Sequence, residues 1–184
     1  MRTAIVRTDR YSRGAIAFHW TIAVLVLFNL ALVWAGDAIF GDFPAMPTHK
    51  AVGITVLVLS IARLVWRWTH RPPPLAPTLN GWQRVAARGT HYAFYVLMIG
   101  VPLGGWVLVS GAETRRPLNW FGLFDIPFLP VSRSAGELAS AVHGTAGTLL
   151  AGLIALHVAA ALRHHLLLRD NTLARMVPGL EAPR

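Results

Sequence analysis

Of the 184 residues, 54% are hydrophobic and only 14% charged, and the mean hydropathy is +0.50, a composition that suits a chain whose solvent is the bilayer. Cysteine is absent, which excludes disulfides, iron–sulfur clusters and thiolate zinc sites and leaves His, Met or oxygen to hold any metal. The net charge of +9 reads as excess Lys and Arg anchoring loops on one side of a membrane, and no nucleic-acid partner is expected.

The segment before Arg13 carries no signal-peptide pattern: the first apolar stretch, from Ala15 to Ala35, ends in no A-x-A site and is long enough to stay in the membrane. Four helices are expected, at approximately 14–35, 49–68, 91–110 and 138–168, each reaching the ~20 residues that cross a ~30 Å hydrocarbon core. The second is closed by Arg63 and Arg67. A run from Arg71 through three prolines to Pro77 cannot continue a helix and reads as an extended loop. The longest connector, Gly111–Glu137, mixes Pro117, Pro127 and Pro130 with Trp120, Phe121, Phe124 and Phe128, and reads as an interfacial loop lying on the membrane surface.

Thirteen Lys and Arg fall on the side of the N-terminus: Arg2, Arg7, Arg10, Arg13, Arg63, Arg67, Arg71, Arg84, Arg88, Arg163, Arg169, Arg175 and Arg184. Lys50, Arg115, Arg116 and Arg133 fall on the other. The expected fold is therefore all-α, one integral-membrane four-helix bundle spanning 1–184, with both termini cytoplasmic and the lipid bilayer as its first partner.

The chemistry has to come from histidine. His19, His49, His91, His143 and His157 lie in or at the ends of apolar helices, where an ionisable side chain is costly and marks a functional site, although interhelical hydrogen bonding is the plain alternative for any one of them. His143 and His157 are fourteen residues apart, which is ~21 Å along a helix and ~40° from the same face. One helix thus offers two ligands at two depths. His49 is level with His143 near the outer end, and His19 is level with His157 near the cytoplasmic end.

Side-chain size gives a second test, because a macrocycle held between helices needs a small residue one turn from its ligand. Gly53 follows His49, Gly147 follows His143, Ala23 follows His19 and Ala161 follows His157 at that spacing. Tyr95 follows His91 and Leu168 follows His164, which argues against both as axial ligands. Two imidazoles per site, no Cys and no carboxylate in the spans suit two b-type haems, each between two histidines, better than zinc or copper. With both axial positions filled, electron transfer is expected rather than oxygen binding at iron. Trp20, Trp66 and Trp68 are candidates to line the inner haem, against the plain reading of interfacial anchors.

Tyr11-Ser-Arg13 followed by His19-Trp20, the His143/His157 spacing, the pair His164-His165 and the C-terminal Asp170-Asn-Thr-Leu-x-Arg175-Met-x-Pro178 together resemble the bacterial cytochrome b561 family over nearly the whole chain. The resemblance implies a di-haem protein of the inner membrane, with ligands mapping onto His19, His49, His143 and His157. It also implies superoxide oxidase activity, an electron passing from periplasmic superoxide through the haems to ubiquinone. A cytochrome b subunit relaying electrons between quinone and a separate redox protein is the alternative. Under the first reading, Lys50, Arg115, Arg116 and Arg133 are candidates to steer an anion toward the outer haem. His91, Arg163, His164 and His165 gather at the cytoplasmic boundary, where a neutral His can bond a quinone carbonyl; His91 and His164 are the leading candidates, with anchoring or contacts to haem propionates as the alternative.

Overall fold

The computed structural model describes residues 10–41, 43–75 and 80–180. Arg2, Arg7 and Arg184 of the charge count and Pro77 of the proline-rich loop lie outside the described residues. Four helices dominate: α1 (Arg13–Phe40), α2 (Ala45–Thr69), α3 (Gly81–Gly111) and α4 (Arg133–Leu166). All four are long and apolar enough to cross a membrane, α1 over Arg13–Gly36.

Local sequence sets the helix starts. Ser12 caps α1 by accepting from the Ala15 N–H, and Ser132 caps α4 by accepting from Ala135. At α3, Asn80 and Gln83 close a reciprocal capping box, satisfying two backbone donors that a helix start leaves open. For this reason α3 begins at Gly81, ten residues before the expected apolar start; its first turns carry Gln83, Arg84 and Arg88 and are invisible to a hydropathy reading. α1 continues to Phe40 through a break at Ala35 (φ −137°).

α1 packs on α2, α2 on α3 and α3 on α4. The α3–α4 contact is the closest: Gly111 and Gly136 meet backbone to backbone, with no room for a Cβ on either, the small-residue approach that membrane helices use. The buried centre comprises Ile22, Val26, Val52, Val56, Met98 and Leu150. Apolar side chains elsewhere point outward, as in Val24, Val58, Val96, Leu149 and Leu156, the all-round hydrophobicity of helices that face lipid.

The connector after α3 is built, not loose. Ser110 accepts from the Leu129 N–H at 2.9 Å and Trp106 donates to the Pro127 carbonyl at 3.0 Å. A short antiparallel hairpin, β1 (Asn119–Trp120) with β2 (Phe124–Asp125), pairs Asn119 with Asp125 and Trp120 with Phe124. After α4 the chain turns at Arg169 (φ 50°) and folds back across the end of the bundle that holds both termini. There Trp20 donates to the Met176 carbonyl (2.8 Å), and Arg175 donates to the Pro74 carbonyl (2.7 Å).

Candidate functional site

The helices bring histidines together at two levels. At the connector end, His49 of α2 faces His143 of α4 with ring centres 6.2 Å apart and planes at 89°. At the termini end, His19 of α1 faces His157 of α4 at 6.3 Å and 66°. An imidazole nitrogen binds a transition metal at about 2.0 Å and lies about 1.1 Å from its ring centre, so two imidazoles on opposite sides of one ion hold their centres about 6 Å apart. Both pairs have that separation. The buried cluster around Val26, Val56, Met98 and Leu150 fills the space between the two levels.

His91 of α3 also lies 6.4 Å from His157, so distance alone does not choose between it and His19. α3 and α4 are pressed together, whereas α1 and α4 are not among the closely packed helix pairs, which favours His19 over His91 as the partner of His157 across a planar group. α2 and α4, which carry the connector-end pair, are likewise not among them.

The surroundings of each pair fit a macrocycle. A Cβ at Gly53 would meet only Asn29 Nδ2, at 3.9 Å, and one at Gly147 would meet nothing within 4 Å. His143 Nδ1 is buried with no hydrogen-bond partner; the Asn29 backbone lies close to His49 without reaching hydrogen-bond geometry to its equally buried Nδ1. Buried ring nitrogens left in this way are costly unless a bound group changes their role. Among the described residues no three of His, Asp and Glu converge to hold a metal on their own; a porphyrin would supply the remaining ligands of an ion held between either ring pair.

Several contacts here were not foreseen. Gly105 of α3 lies under the His143 ring, and a Cβ on it would come 3.0 Å from Cε1 and 3.4 Å from Nδ1. The Gly104-Gly105 pair inside an apolar helix was the signal available in the sequence. Phe94 sets its edge against His157 at 5.2 Å. Arg63, counted in the sequence as a basic-side anchor, turns inward: its Nη2 lies 3.3 Å from His19 Nδ1 and its guanidinium lies over the Tyr95 ring at 5.9 Å. No carboxylate lies within ion-pair distance of it among the described residues.

The tryptophans divide. Trp20 lies against His19 at 5.2 Å. Trp66 instead stacks on His70 at 3.9 Å, bonds Ser12 and covers Gly14, and Trp68 is 75% exposed; both point away from the inner pair.

Of the quinone candidates, His91 is in the inner cluster. His164 is engaged, its Nδ1 2.6 Å from Asp170 Oδ2. His165 Nδ1 is buried without a partner. Burial pushes the Asp170 carboxyl up, but hydrogen bonds from Thr172 and His164 outweigh it and hold the group below its ordinary value.

The four basic candidates at the connector end are partly committed. Arg133 is ion-paired to Glu113 (3.1 Å) and Glu137 (3.0 Å). Lys50 donates to the Pro117 carbonyl at 2.9 Å, and Arg115 lies over the Phe128 ring at 5.3 Å. Arg116 is exposed and close enough to Lys50 for repulsion.

With this geometry in place, comparison with known proteins is decisive. The family described as prokaryotic cytochrome b561 matches residues 10–179. The chain belongs to the prokaryotic cytochrome b561 family. It is 32% identical over 174 residues to cytochrome b561 homolog 2 of Escherichia coli K12, covering 92% of each chain. It is 31% identical to cytochrome b561 homolog 1 of the same organism, covering 92% of this chain and 98% of that one. It is 28% identical to the probable superoxide oxidase CybB of Yersinia pestis, over 92% and 96% of the two chains. As a cytochrome b561, this chain is a multi-pass membrane protein of electron transfer, and b-type haem is the cofactor its family carries.

Proposed function

We propose that this cytochrome b561 holds two b-type haems, one between His49 and His143 and one between His19 and His157, and oxidises superoxide at the connector end while reducing ubiquinone at the termini end. In this reading the termini end is the cytoplasmic face of the bacterial inner membrane, following the basic residues concentrated there. The observation that carries the proposal is the pair of ring separations, 6.2 Å and 6.3 Å, each between helices that are not among the closely packed pairs.

Haem, held at each pair by its two histidines, would supply one-electron redox chemistry there. The rest is done by the chain. Lys50 and Arg116 leave a positive mouth beside His49, with Arg115 and the ion-paired Arg133 as its rim, and positive charge at a low-dielectric opening raises the encounter rate of a small anion. The apolar cluster between the levels keeps water out of the path. At the other end His91 and His164 are the groups that would hydrogen-bond the quinone, His164 oriented by its contact with Asp170, with His165 beside them. The balance is two superoxide giving two dioxygen and two electrons, which with two protons convert one quinone to quinol.

The commitment of Arg133 and Lys50 to local partners favours a second reading, in which a docked redox protein, not a diffusing radical, exchanges electrons with the outer haem. The test is to add superoxide to the purified protein with ubiquinone present and follow haem reduction and quinol formation. Haem reduction with quinol formed at one per two superoxide supports the first reading. Haems that superoxide does not reduce, in a protein shown by its optical spectrum to contain them, support the second.

A further inference from the structure

The connector between α3 and α4 carries an apolar tongue whose direction is fixed at two points. Lys50 Nζ donates to the Pro117 carbonyl (2.9 Å), and three residues on, Trp120 Nε1 donates to Thr55 Oγ1 (3.0 Å). Thr55 lies five residues beyond Lys50 along α2, about 7.5 Å further toward the middle of the bundle. Trp120 therefore sends its indole down alongside α2, and β1 packs against that helix.

The composition of the tongue changes along that descent. Its neck is polar, with Arg115, Arg116 and a hydrogen bond from Asn119 to Asp125 (3.0 Å). Its tip, Trp120-Phe121-Gly122-Leu123-Phe124, carries no charge, and Phe121, Leu123 and Phe124 are 50%, 72% and 54% exposed. The tip is also polar-satisfied from within: the Leu123 N–H donates to the Trp120 carbonyl, the Gly122 N–H to the Asn119 side chain and the Ile126 N–H to the Leu118 carbonyl. Positive φ at Phe121 (50°) and Gly122 (80°) makes so tight a closure possible. These bonds reduce the number of polar backbone groups that the tip, with its side chains turned outward, would bring into a low-dielectric surrounding. One turn beyond Thr55 begins the exposed apolar stripe Val58, Ile61 and Val65 of α2, so the Trp120 contact lies beside an apolar helix surface of the kind that faces lipid.

We infer that the hairpin tip is a membrane anchor, inserted into the acyl boundary of the outer leaflet beside α2, its partner being lipid chains and its neck holding Arg115 and Arg116 over the outer histidine pair. Insertion by 5–10 Å is the depth at which amphipathic segments rest in that boundary, and it agrees with the descent from Lys50 to Thr55.

Because the chain has no cysteine, single-cysteine variants report one position each. Leu123→Cys and Phe124→Cys at the tip and Glu113→Cys before the neck are made in the full chain, reconstituted in phospholipid vesicles and labelled with a nitroxide. Collisions with dioxygen, which partitions into lipid, are compared with collisions with a water-soluble nickel complex. The tip labels are expected to favour dioxygen, with nickel access several-fold below that at Glu113. Adding Trp120→Phe, which keeps the ring and removes the bond to Thr55, should raise nickel access at Leu123. Nickel access equal at 113 and 123, or efficient cross-linking of two Leu123→Cys chains in the vesicle, would overturn the inference, the first by placing the tip in water and the second by giving it to another copy of the chain.

Discussion

Replacing Gly105 by alanine adds one methyl group against the ring of His143. That Cβ would stand 3.0 Å from Cε1, whereas carbon–carbon contacts settle near 3.5–4.0 Å. The ring must retreat by at least about 0.5 Å, more than twice the roughly 0.2 Å by which metal–ligand bonds depart from their preferred length. Gly105→Ala is therefore expected to weaken the connector-end haem, and Gly105→Val to remove it, so that haem content falls from two per chain to about one. The helix itself gains: alanine is more favourable than glycine within a helix by about 0.5–1 kcal/mol, so loss of haem cannot be assigned to a weakened α3. Gly100→Ala, where a Cβ meets nothing within 4 Å, is the matched control and should retain both haems. Haem-to-protein ratio and the low-spin electron paramagnetic resonance signals of the two sites provide the measurement. Unchanged stoichiometry and signals in both the Ala and Val variants would refute the placement of His143 as a ligand supported by Gly105.

His19→Ala or His157→Ala should remove one haem and His49→Ala or His143→Ala the other, with His91→Ala retaining two; full haem content in His157→Ala would promote His91 or His164. Arg63→Gln removes the charge beside His19 and keeps a polar side chain there, so redox titration should show a lower potential for the termini-end haem and an unmoved one at the other end. Haem reduction by superoxide should slow as ionic strength rises, and Lys50→Glu should slow it further at low salt, since exposed charges are screened over about 10 Å at 0.1 M. Asp170, its carboxyl held below the ordinary value, is stabilising as the anion. Its contribution is complete above the unfolded carboxylate pKa of about 3.9 and disappears as pH falls through the lower folded value. Hydrogen exchange of residues 170–178 should then stay slow through mild acid in the native protein and be uniformly faster in Asp170→Asn.

The four spans and both histidine levels could be read from the sequence because each rests on a strong periodic signal: unbroken apolar runs, and a fourteen-residue spacing that returns His143 and His157 to nearly one face. The start of α3 was obscured because polarity in its first turns overrides hydropathy, although Asn80 and Gln83 spell a capping box. Arg63 lies at the end the charge count gave it, but its inward turn was not legible for a related reason. Counting charges by side cannot distinguish an arginine that snorkels from one turned onto a histidine, since both occupy the last turns of an apolar helix. The hairpin and the C-terminal fold-over depend on partners far away in the chain, such as Thr55 with Trp120 and Pro74 with Arg175, and no local pattern encodes those. Gly105 was visible only as an unexplained glycine; its purpose exists once α4 lays His143 against it.

The two ends differ in charge, and the difference bears on the direction of electron flow. Among the described residues, the connector-end rings sit by Asn29, Gly53 and Gly105 with no cation hydrogen-bonded to them, while the termini-end pair has Arg63 Nη2 at 3.3 Å from His19 Nδ1 and no carboxylate within ion-pair distance of that arginine. In the proposed orientation an electron moving from the first site to the second approaches the negative side of an energised membrane. The levels are ~21 Å apart in a ~30 Å core, so the transfer crosses about 0.7 of the field and costs about 1.6 kcal/mol per 100 mV. A flow toward a cytoplasmic quinone site thus needs an inner haem that holds its electron more tightly than the outer one. An unpaired guanidinium beside the inner ligand favours the reduced, less positive iron there and leaves the distant site almost untouched. With haems at the proposed sites, the same residue would thus offset the field against which the electron has to move.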